Sequence, residues 1–364
     1  MTSSEGCVFR RKDGKWCGKW KDASGKYRYL YRKTKAEAKT ALRQALRDRD
    51  DNIVPADKLT LDDALDQWLD DMRDSVSLRT WTNRESLVRI HVKSHSVGSR
   101  KLCKLSPEHL RSFYREKLVT LSPSTVGRLH DVIKKACNEQ VHEYKRLRSN
   151  PANDVKPPKN HTRDMDVLKP EQLTRLLETV RGSRYEGIIV LGAVCALRIG
   201  EALSLRYEDI DLDAGTISIR RTLWKGKTYP PKTPSSRRTL ALPQTGLDAL
   251  RRHCKKHDNP TTGFMFQTSN GNPIAHEAFW RWGWKSALRD AGLDERLHYH
   301  DLRHCAASLL LNQNVPVPIV SRYLGHANPS VTLKVYAHII DGTSGTAALA
   351  MDEALSKHPR GRGI

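Results

Sequence analysis

The first clear pattern along the chain has a period of two. Residues 6–31, GCVFRRKDGKWCGKWKDASGKYRYLY, alternate aromatic or β-branched residues with polar ones and are punctuated by DGK and SGK, which predicts two or three short antiparallel strands. The period then lengthens. In KTKAEAKTALRQALRDRDD, Ala36, Leu42, Ala45 and Leu46 are expected on one side of a basic helix, giving a small sheet backed by one helix over residues 1–55.

After NIVPADK, the apolar residues Leu61, Leu65, Trp68, Leu69 and Met72 follow helical spacing, and Thr60 with Asp63 resembles a capping box. SPEHLRSFYREKL and SPSTVGRLHDVIKKACNEQVHEY each open on Ser-Pro, where Ser caps and Pro occupies the first turn. Residues 58–150 are therefore expected to form a helical domain, and the proline-bearing polar stretch 151–166 a linker. From residue 167 to 364 the pattern is mixed. LKPEQLTRLLETV reads as a Pro-initiated helix and GIIVLGAVCALRIGEALSLR as a mostly apolar one. TISIRRTLW, a KGK turn, TYPPKT and RRTLALP carry strand signals, and helical segments return from HEAFWRWGWKSALRDAGL onward. The expected class is α+β, mainly helical, with a small antiparallel sheet in the last domain.

Charge narrows the function. The chain has 364 residues, 63 Lys plus Arg against 41 Asp plus Glu, and a formal charge of +22, which points to a polyanionic partner, nucleic acid first. No apolar run approaches the roughly 20 residues that span a bilayer, so no membrane partner is expected. The 7 cysteines are scattered singly, without metal-ligand spacing, as suits a reducing cytosol. In the N-terminal module Arg10, Arg11, Lys12, Lys15, Lys19, Lys21 and Arg28 interleave with Trp16, Trp20, Tyr27, Tyr29 and Tyr31. The whole-chain charge favours DNA backbone contact over a merely solvated basic face.

Three stretches of the last domain carry candidate chemistry. In ALRIGEALSL, Arg198 lies within an apolar segment with Glu201 three residues on; a buried ion pair and an anion site are equally open on this segment alone. In HYHDLRHCAASLLL, His300 and Arg303 share one side of a helix near its start, a position suited to an anion, with His298 and His304 close by. In VPVPIVSRYLGHANPSVTLKVYAH, Gly325 should end one helix and Asn328-Pro329 start another, with His326 in the turn between them. Tyr336 follows two turns later, with Thr332 one turn before it.

The ordered set R-I-G-E, H-D-L-R-H, L-G-H and a tyrosine ten residues beyond the last histidine resembles the tyrosine recombinase (phage integrase) family. The likeness is sharpest over residues 165–345. It implies an arm-type DNA-binding module, a helical core-binding domain and a catalytic domain in which Tyr336 attacks the scissile phosphodiester to give a 3'-phosphotyrosyl enzyme and a free 5'-hydroxyl. Arg198 and Arg303 align with the family arginines that bind the non-bridging oxygens, His300 with the group that accepts or relays the tyrosine proton, and His326 with a donor to phosphate. The family lysine that protonates the leaving oxygen matches Lys232 in PPKTPSSRRTLAL, with Lys225 and Lys227 of the WKGK turn as alternatives. Glu201 would hold Arg198 in register, and Arg237 and Arg238 are expected on DNA.

The resemblance implies no metal and no cofactor. It implies a homotetramer on two DNA duplexes, core and arm-type sites, and a C-terminal helix around Leu349, Met351 and Leu355 that packs on a neighbouring protomer. A host DNA-bending protein and an excision factor are further expected partners, and the expected location is the cytoplasm of a bacterial cell, at the nucleoid. A chromosome-dimer or plasmid resolvase and a type IB topoisomerase share the constellation, but the basic N-terminal module favours an integrase that inserts and excises a mobile element. A DNA-binding regulator on this scaffold would lack a catalytic residue, and here the set is complete.

Overall fold

The computed structural model describes residues 6–22, 25–50, 58–159, 168–231, 233–333, 349 and 351–353. The chain forms two compact units, Met1–Thr162 and Arg163–Ile364. Among the described residues no helix is long and apolar enough to cross a membrane.

The first unit opens with three antiparallel strands, β1 (Cys7–Arg10), β2 (Trp16–Lys21) and β3 (Tyr27–Arg32), in the order β1-β2-β3. Helix α1 (Lys35–Asp50) follows and buries Ala38 and Leu42. Ala36 is exposed, contrary to the expectation. It lies two residues, about 200°, from Ala38 around the helix, so the inward stripe runs instead through buried Ala38 and Leu42 and half-buried Ala45 and Leu46. Gly6 permits the close approach of the chain to this layer: a Cβ there would come 2.3 Å from the Lys19 carbonyl oxygen and 2.9 Å from Leu42.

Among the described residues four α-helices follow in this unit: α2 (Leu61–Asp71), α3 (Leu78–Leu87), α4 (Pro107–Leu118) and α5 (Pro123–His142). The Thr60–Asp63 box closes at the start of α2, with the Asp63 carboxylate accepting from the Thr60 amide at 2.8 Å. Leu61, Leu65, Trp68, Leu69 and Met72 are all buried against Leu110, Phe113, Leu129 and Ile133. The helical pattern after Thr60 breaks between Met72 and Ser77, where Ser77 caps α3, and α3 runs on into a wider π turn at Val88–Val92. The packed core continues through Ala152 and Val155, anchored by the Asn150 amide, which donates to the Lys134 carbonyl at 2.8 Å and to Asn138 at 2.7 Å.

The second unit builds its core around α7 (Glu186–Val194), whose Ile188, Ile189 and Leu191 are fully buried. Around it pack α6 (Pro170–Thr179), α8 (Ile199–Leu203), α9 (Gln244–Lys256) and the helical run α10 (His276–Ala278), a π turn at Phe279–Trp284, and α11 (Lys285–Asp290). The last described helices are α12 (Tyr299–Asn312) and α13 (Val317–Leu324). The strand signals resolve into two sheets where one was expected. Strands β4 (Ile210–Asp211), β5 (Thr216–Ile219) and β8 (Arg238–Ala241) form one; β6 (Thr222–Trp224) and β7 (Lys227–Tyr229) form a separate hairpin. The chain leaves the β5 line at Arg221, whose carbonyl accepts from Ser204 Oγ at 2.8 Å and whose guanidinium pairs with buried Asp209 at 2.5 Å.

Removing the Thr60 hydroxyl tests the capping assignment. Thr60→Ala should cost α2 about 1 kcal/mol, seen as faster hydrogen exchange of the first-turn amides around Asp63; unchanged protection there would contradict it.

Candidate active site

The apolar segment 187–206, expected to be one helix, is two. Helix α7 ends at Val194 and α8 begins at Ile199, and between them Ala196 takes a left-handed backbone, φ 53°. For an alanine that conformation costs roughly 1–2 kcal/mol. It is held by a tertiary contact: the Ala196 carbonyl accepts from Nη1 of Arg303 on α12 at 2.9 Å. Because of the break, Arg198 is not in a helix interior; it is the extended residue that caps α8.

Arg198 and Glu201 form a reciprocal pair. Arg198 Nη1 donates to Glu201 Oε1 at 2.7 Å, and the Arg198 amide donates to Oε2 at 3.1 Å. Arg198 remains 37% exposed while Glu201 is 4% exposed, so the carboxylate is buried behind a guanidinium that still faces solvent. Arg198 Nη2 also reaches the Gly325 carbonyl at 3.4 Å. A second guanidinium meets the same carboxylate: Arg238 Nη2 lies 3.3 Å from Glu201 Oε2 with only 6% of its side chain exposed. Burial alone would raise the Glu201 pKa, but Arg238 and Arg198 outweigh it and hold the group below the ordinary carboxylate value.

Helix α12 supplies His300 and Arg303, and it is fixed by Tyr299, whose hydroxyl donates to the Ile188 carbonyl at 2.8 Å. Helix α13 ends at Gly325 with φ 66°, as its position before the turn predicted. Glycine suits this left-handed backbone, and a Cβ would also sit 2.8 Å from Arg238 Nη1, so the guanidinium would have to shift. His326 follows in the turn, its amide donating to the Ser321 carbonyl at 3.0 Å and its Nδ1 lying 2.8 Å from the Thr332 hydroxyl. Thr332 is fully buried in the helical turn 329–333. Tyr323 ties α13 to α7 by donating to the Val194 carbonyl at 2.7 Å.

Both histidines are held neutral. Burial, then His304, Arg303 and Arg198, push His300 down to about 4. Burial, then Arg303 and Arg198, do the same to His326. His300 is exposed, so solvent screens much of this effect there, whereas His326 is half-buried; the direction is common to both rings. A phosphate bound among these cations would act in the opposite sense and favour protonation.

The structure thus brings together Arg198, Glu201, His300, Arg303 and His326. Tyr336 and Lys232 lie outside the described residues, as does Leu355; the neighbouring described segments, 329–333 and Thr233–Ser236, adjoin this cluster. Of the alternative histidines, His304 meets His300 edge to face at 5.1 Å, whereas His298 caps α12 and stacks on Trp280 at 5.3 Å. Lys225 and Lys227 stand at the tip of the β6–β7 hairpin, with Lys225 Nζ 5.2 Å from the Trp224 ring.

Arg238 departs from the expectation of a DNA-facing side chain. It shares strand parity with buried Leu240, so it points into the unit, where Glu201 neutralises it. That alternation in RRTLAL was the legible signal. Arg237, by contrast, is exposed. Thr332, too, was assigned no role from the sequence, and its contact to His326 depends on the fold of a turn.

The N-terminal sheet carries a second basic surface. Tyr27, Tyr29 and Tyr31 share one face of β3 and are 54%, 49% and 45% exposed. Lys19 Nζ stands 4.0 Å from the Tyr27 ring centre, Lys21 Nζ 5.3 Å from the same ring, and the Arg11 guanidinium 5.0 Å from Tyr31. Arg10, Lys12 and Lys15 are exposed in or beside the β1–β2 turn. Arg28 falls on the opposite parity and pairs with Asp22 at 2.8 Å.

Known proteins resemble this chain in sequence and in fold. The profile of the Phage integrase family matches residues 166–342, and that of the phage integrase N-terminal SAM-like domain matches residues 60–119. A protein described as tyrosine recombinase XerC-like, from Caldanaerobacter subterraneus subsp. tengcongensis, is 26% identical over 356 residues, covering 88% of this chain and 90% of the relative. Among solved structures, the Tn1549 transposon integrase in complex with transposon right end DNA superposes with a TM-score of 0.68 at 22% identity, covering 82% of this chain and 100% of the other. A lambda integrase tetramer bound to a Holliday junction gives 0.60 at 16% identity, covering 90% and 97%. At those identities the structural matches speak for the fold.

The buried carboxylate makes a stability prediction. Glu201→Gln leaves two guanidiniums facing each other and should cost about 3–5 kcal/mol at pH 7, read by urea titration with hydrogen exchange of the α7 and α12 amides. Because the folded pKa of Glu201 is depressed, its contribution is complete above the unfolded value of about 4.3 and is lost as pH falls through the lower folded value. The gap between the two proteins should therefore close in acid. His300 and His326, also depressed, lower the stability of both proteins earlier, between about 6.5 and 4. A Gln variant as stable as the parent at pH 7 would refute the assignment.

Proposed function

The chain belongs to the phage integrase family, and from that premise we propose that it is a site-specific DNA recombinase whose second unit cleaves and rejoins strands through a phosphotyrosine at Tyr336. The observation that carries this reading is the convergence of Arg198, Arg303, His300 and His326, from three separate helical elements, on one patch backed by Glu201.

The chemistry follows from the groups. A phenol has a pKa of about 10 and is protonated at neutral pH, so it needs a base and an electrophilic target. The Arg198 and Arg303 guanidiniums match the fork of two phosphate oxygens and offset the charge that builds as phosphorus becomes five-coordinate. His300, held neutral, has a free lone pair to take or relay the Tyr336 proton. The Thr332 hydroxyl lies 2.8 Å from His326 Nδ1; in the tautomer where that hydroxyl donates to Nδ1, the His326 proton sits on Nε2 and can be presented to a phosphate oxygen. The bond from phosphorus to Tyr336 Oη forms as the bond to the 5'-oxygen breaks, and Lys232 gives that oxygen its proton. An incoming 5'-hydroxyl reverses each step on another strand. The phosphotyrosyl bond conserves the energy of the diester, so this route calls on neither ATP nor a metal.

On this reading the helical domain binds the core site and the tyrosine-bearing sheet face of β1–β3 binds arm-type DNA. Four protomers act on two duplexes, and the exposed Leu349 and Met351 of the C-terminal segment dock on a neighbouring protomer. A host DNA-bending protein and an excision factor would set direction, in the cytoplasm of a bacterial cell at its nucleoid.

Incubation with a nicked duplex selected by the protein from a random-sequence pool should give a covalent protein–DNA adduct that is lost in Tyr336→Phe; an adduct that survives in that variant defeats the proposal. Lys232→Ala should slow cleavage by about 100-fold or more and be rescued when sulfur replaces the 5'-bridging oxygen, since a thiolate leaves without a proton. If Lys225→Ala or Lys227→Ala shows that rescue instead, the acid lies on the β6–β7 hairpin. Replacing Lys19 and Lys21 together by Ala should weaken arm-site binding and reduce its salt slope by about 2, leaving core-site binding unchanged; unaltered arm binding removes the sheet from the DNA interface.

A further inference from the structure

Arg238 makes three bonds: two reach other elements of the catalytic unit, and the third returns to its own segment two residues back. Its Nη2 meets Glu201 on α8 at 3.3 Å, its Nε donates to the Tyr323 carbonyl in the last turn of α13 at 3.1 Å, and its Nη1 donates to the Ser236 carbonyl, four residues beyond Lys232, at 3.2 Å. Its side chain is 6% exposed. Gly325 packs so closely on the guanidinium that a Cβ there would come within 2.8 Å of Nη1 and displace it. The shared carboxylate is the one that holds Arg198, and Arg198 in turn reaches the Gly325 carbonyl. The loop of contacts therefore closes: Arg238 to Glu201, Glu201 to Arg198, Arg198 to the Gly325–His326 turn, and that turn back to Arg238.

We propose that Arg238 is a positioning residue for strand cleavage: it sets the His326 turn and the segment following Lys232 against Arg198, and does so without touching DNA. A planar fork with fixed donors can join α8 and α13 to its own segment at once, which a lysine ammonium at the end of a flexible stem cannot. Small displacements matter because the groups must meet one phosphate together, and misplacement by about 1 Å can cost a hundredfold in rate. A DNA-contacting arginine would show the reverse pattern, weakening binding and its salt dependence while leaving the bound geometry intact.

The inference rests on the recombinase reading, so its test includes a measurement that does not. Arg238→Met and Arg238→Lys would be made in the full chain. The His326 ring would be titrated by NMR without DNA, and single-turnover adduct formation, DNA affinity and its salt slope would be measured on the selected nicked duplex. The expected result for Arg238→Met is a His326 pKa that rises from about 4 toward the ordinary value, an adduct rate lowered about 10- to 100-fold, and an affinity and salt slope equal to the parent's. Arg238→Lys should recover part of both effects; it also decides the matter if the Met variant does not fold, since it keeps a cation against Glu201. A salt slope reduced by about 1, an unmoved His326 titration, or an unchanged adduct rate overturns the inference. Should the parent itself form no adduct, the recombinase reading falls, while the His326 titration still decides whether Arg238 holds the turn.

Discussion

A site built from cations has to hold itself together before its anion arrives. In this protein the buried carboxylate of Glu201 takes on that work, lying between the guanidiniums of Arg198 and Arg238 at 2.7 and 3.3 Å. Two arginines brought this close would repel one another; with one shared carboxylate they form a chain of opposite charges. Arg303 is fixed separately, through the Ala196 carbonyl, and the two histidines add no charge because their surroundings keep them neutral. On the proposed function, a DNA phosphate would complete a set of donors already in place, which is the arrangement that stabilises a transition state at least cost of reorganisation.

This constraint explains features that are unfavourable locally. Ala196 takes a left-handed backbone because the chain must turn there for Arg198 to leave the apolar helix and for its own carbonyl to reach Arg303. Strand β8 buries an arginine because Glu201 needs a second cation. Helix α13 closes on a glycine against which that arginine packs. Each of these would reduce stability in a fold with no site to build, and each lies within the same network.

Much of this was legible in the sequence, for identifiable reasons. The first turns of α2, α4 and α5 announce themselves because Thr60 with Asp63, and the Ser-Pro pairs at 106–107 and 122–123, satisfy free amides through local chemistry. The cluster of Arg198, His300, Arg303 and His326 was visible as an ordered set of short motifs. The break between α7 and α8 was not, since Cys195–Arg198 contains neither Gly nor Pro and the turn is imposed by an arginine over a hundred residues away. The wide turns at Val88–Val92 and Phe279–Trp284 were hidden for a like reason, as their composition suits an ordinary helix. Arg238 was misread because two adjacent arginines on a basic chain suggest DNA, and only the parity with Leu240 separates the inward one from the outward one.

On the proposed mechanism this cationic patch surrounds one DNA phosphate while the hydroxyl of Tyr336 attacks it. The most direct measurement is to trap the protein on a nicked duplex, digest protein and DNA, and identify by mass spectrometry the peptide that retains a nucleotide. A nucleotide attached through its 3'-phosphate to the peptide containing Tyr336 is expected. Attachment at any other residue, or through a 5'-phosphate, would contradict it.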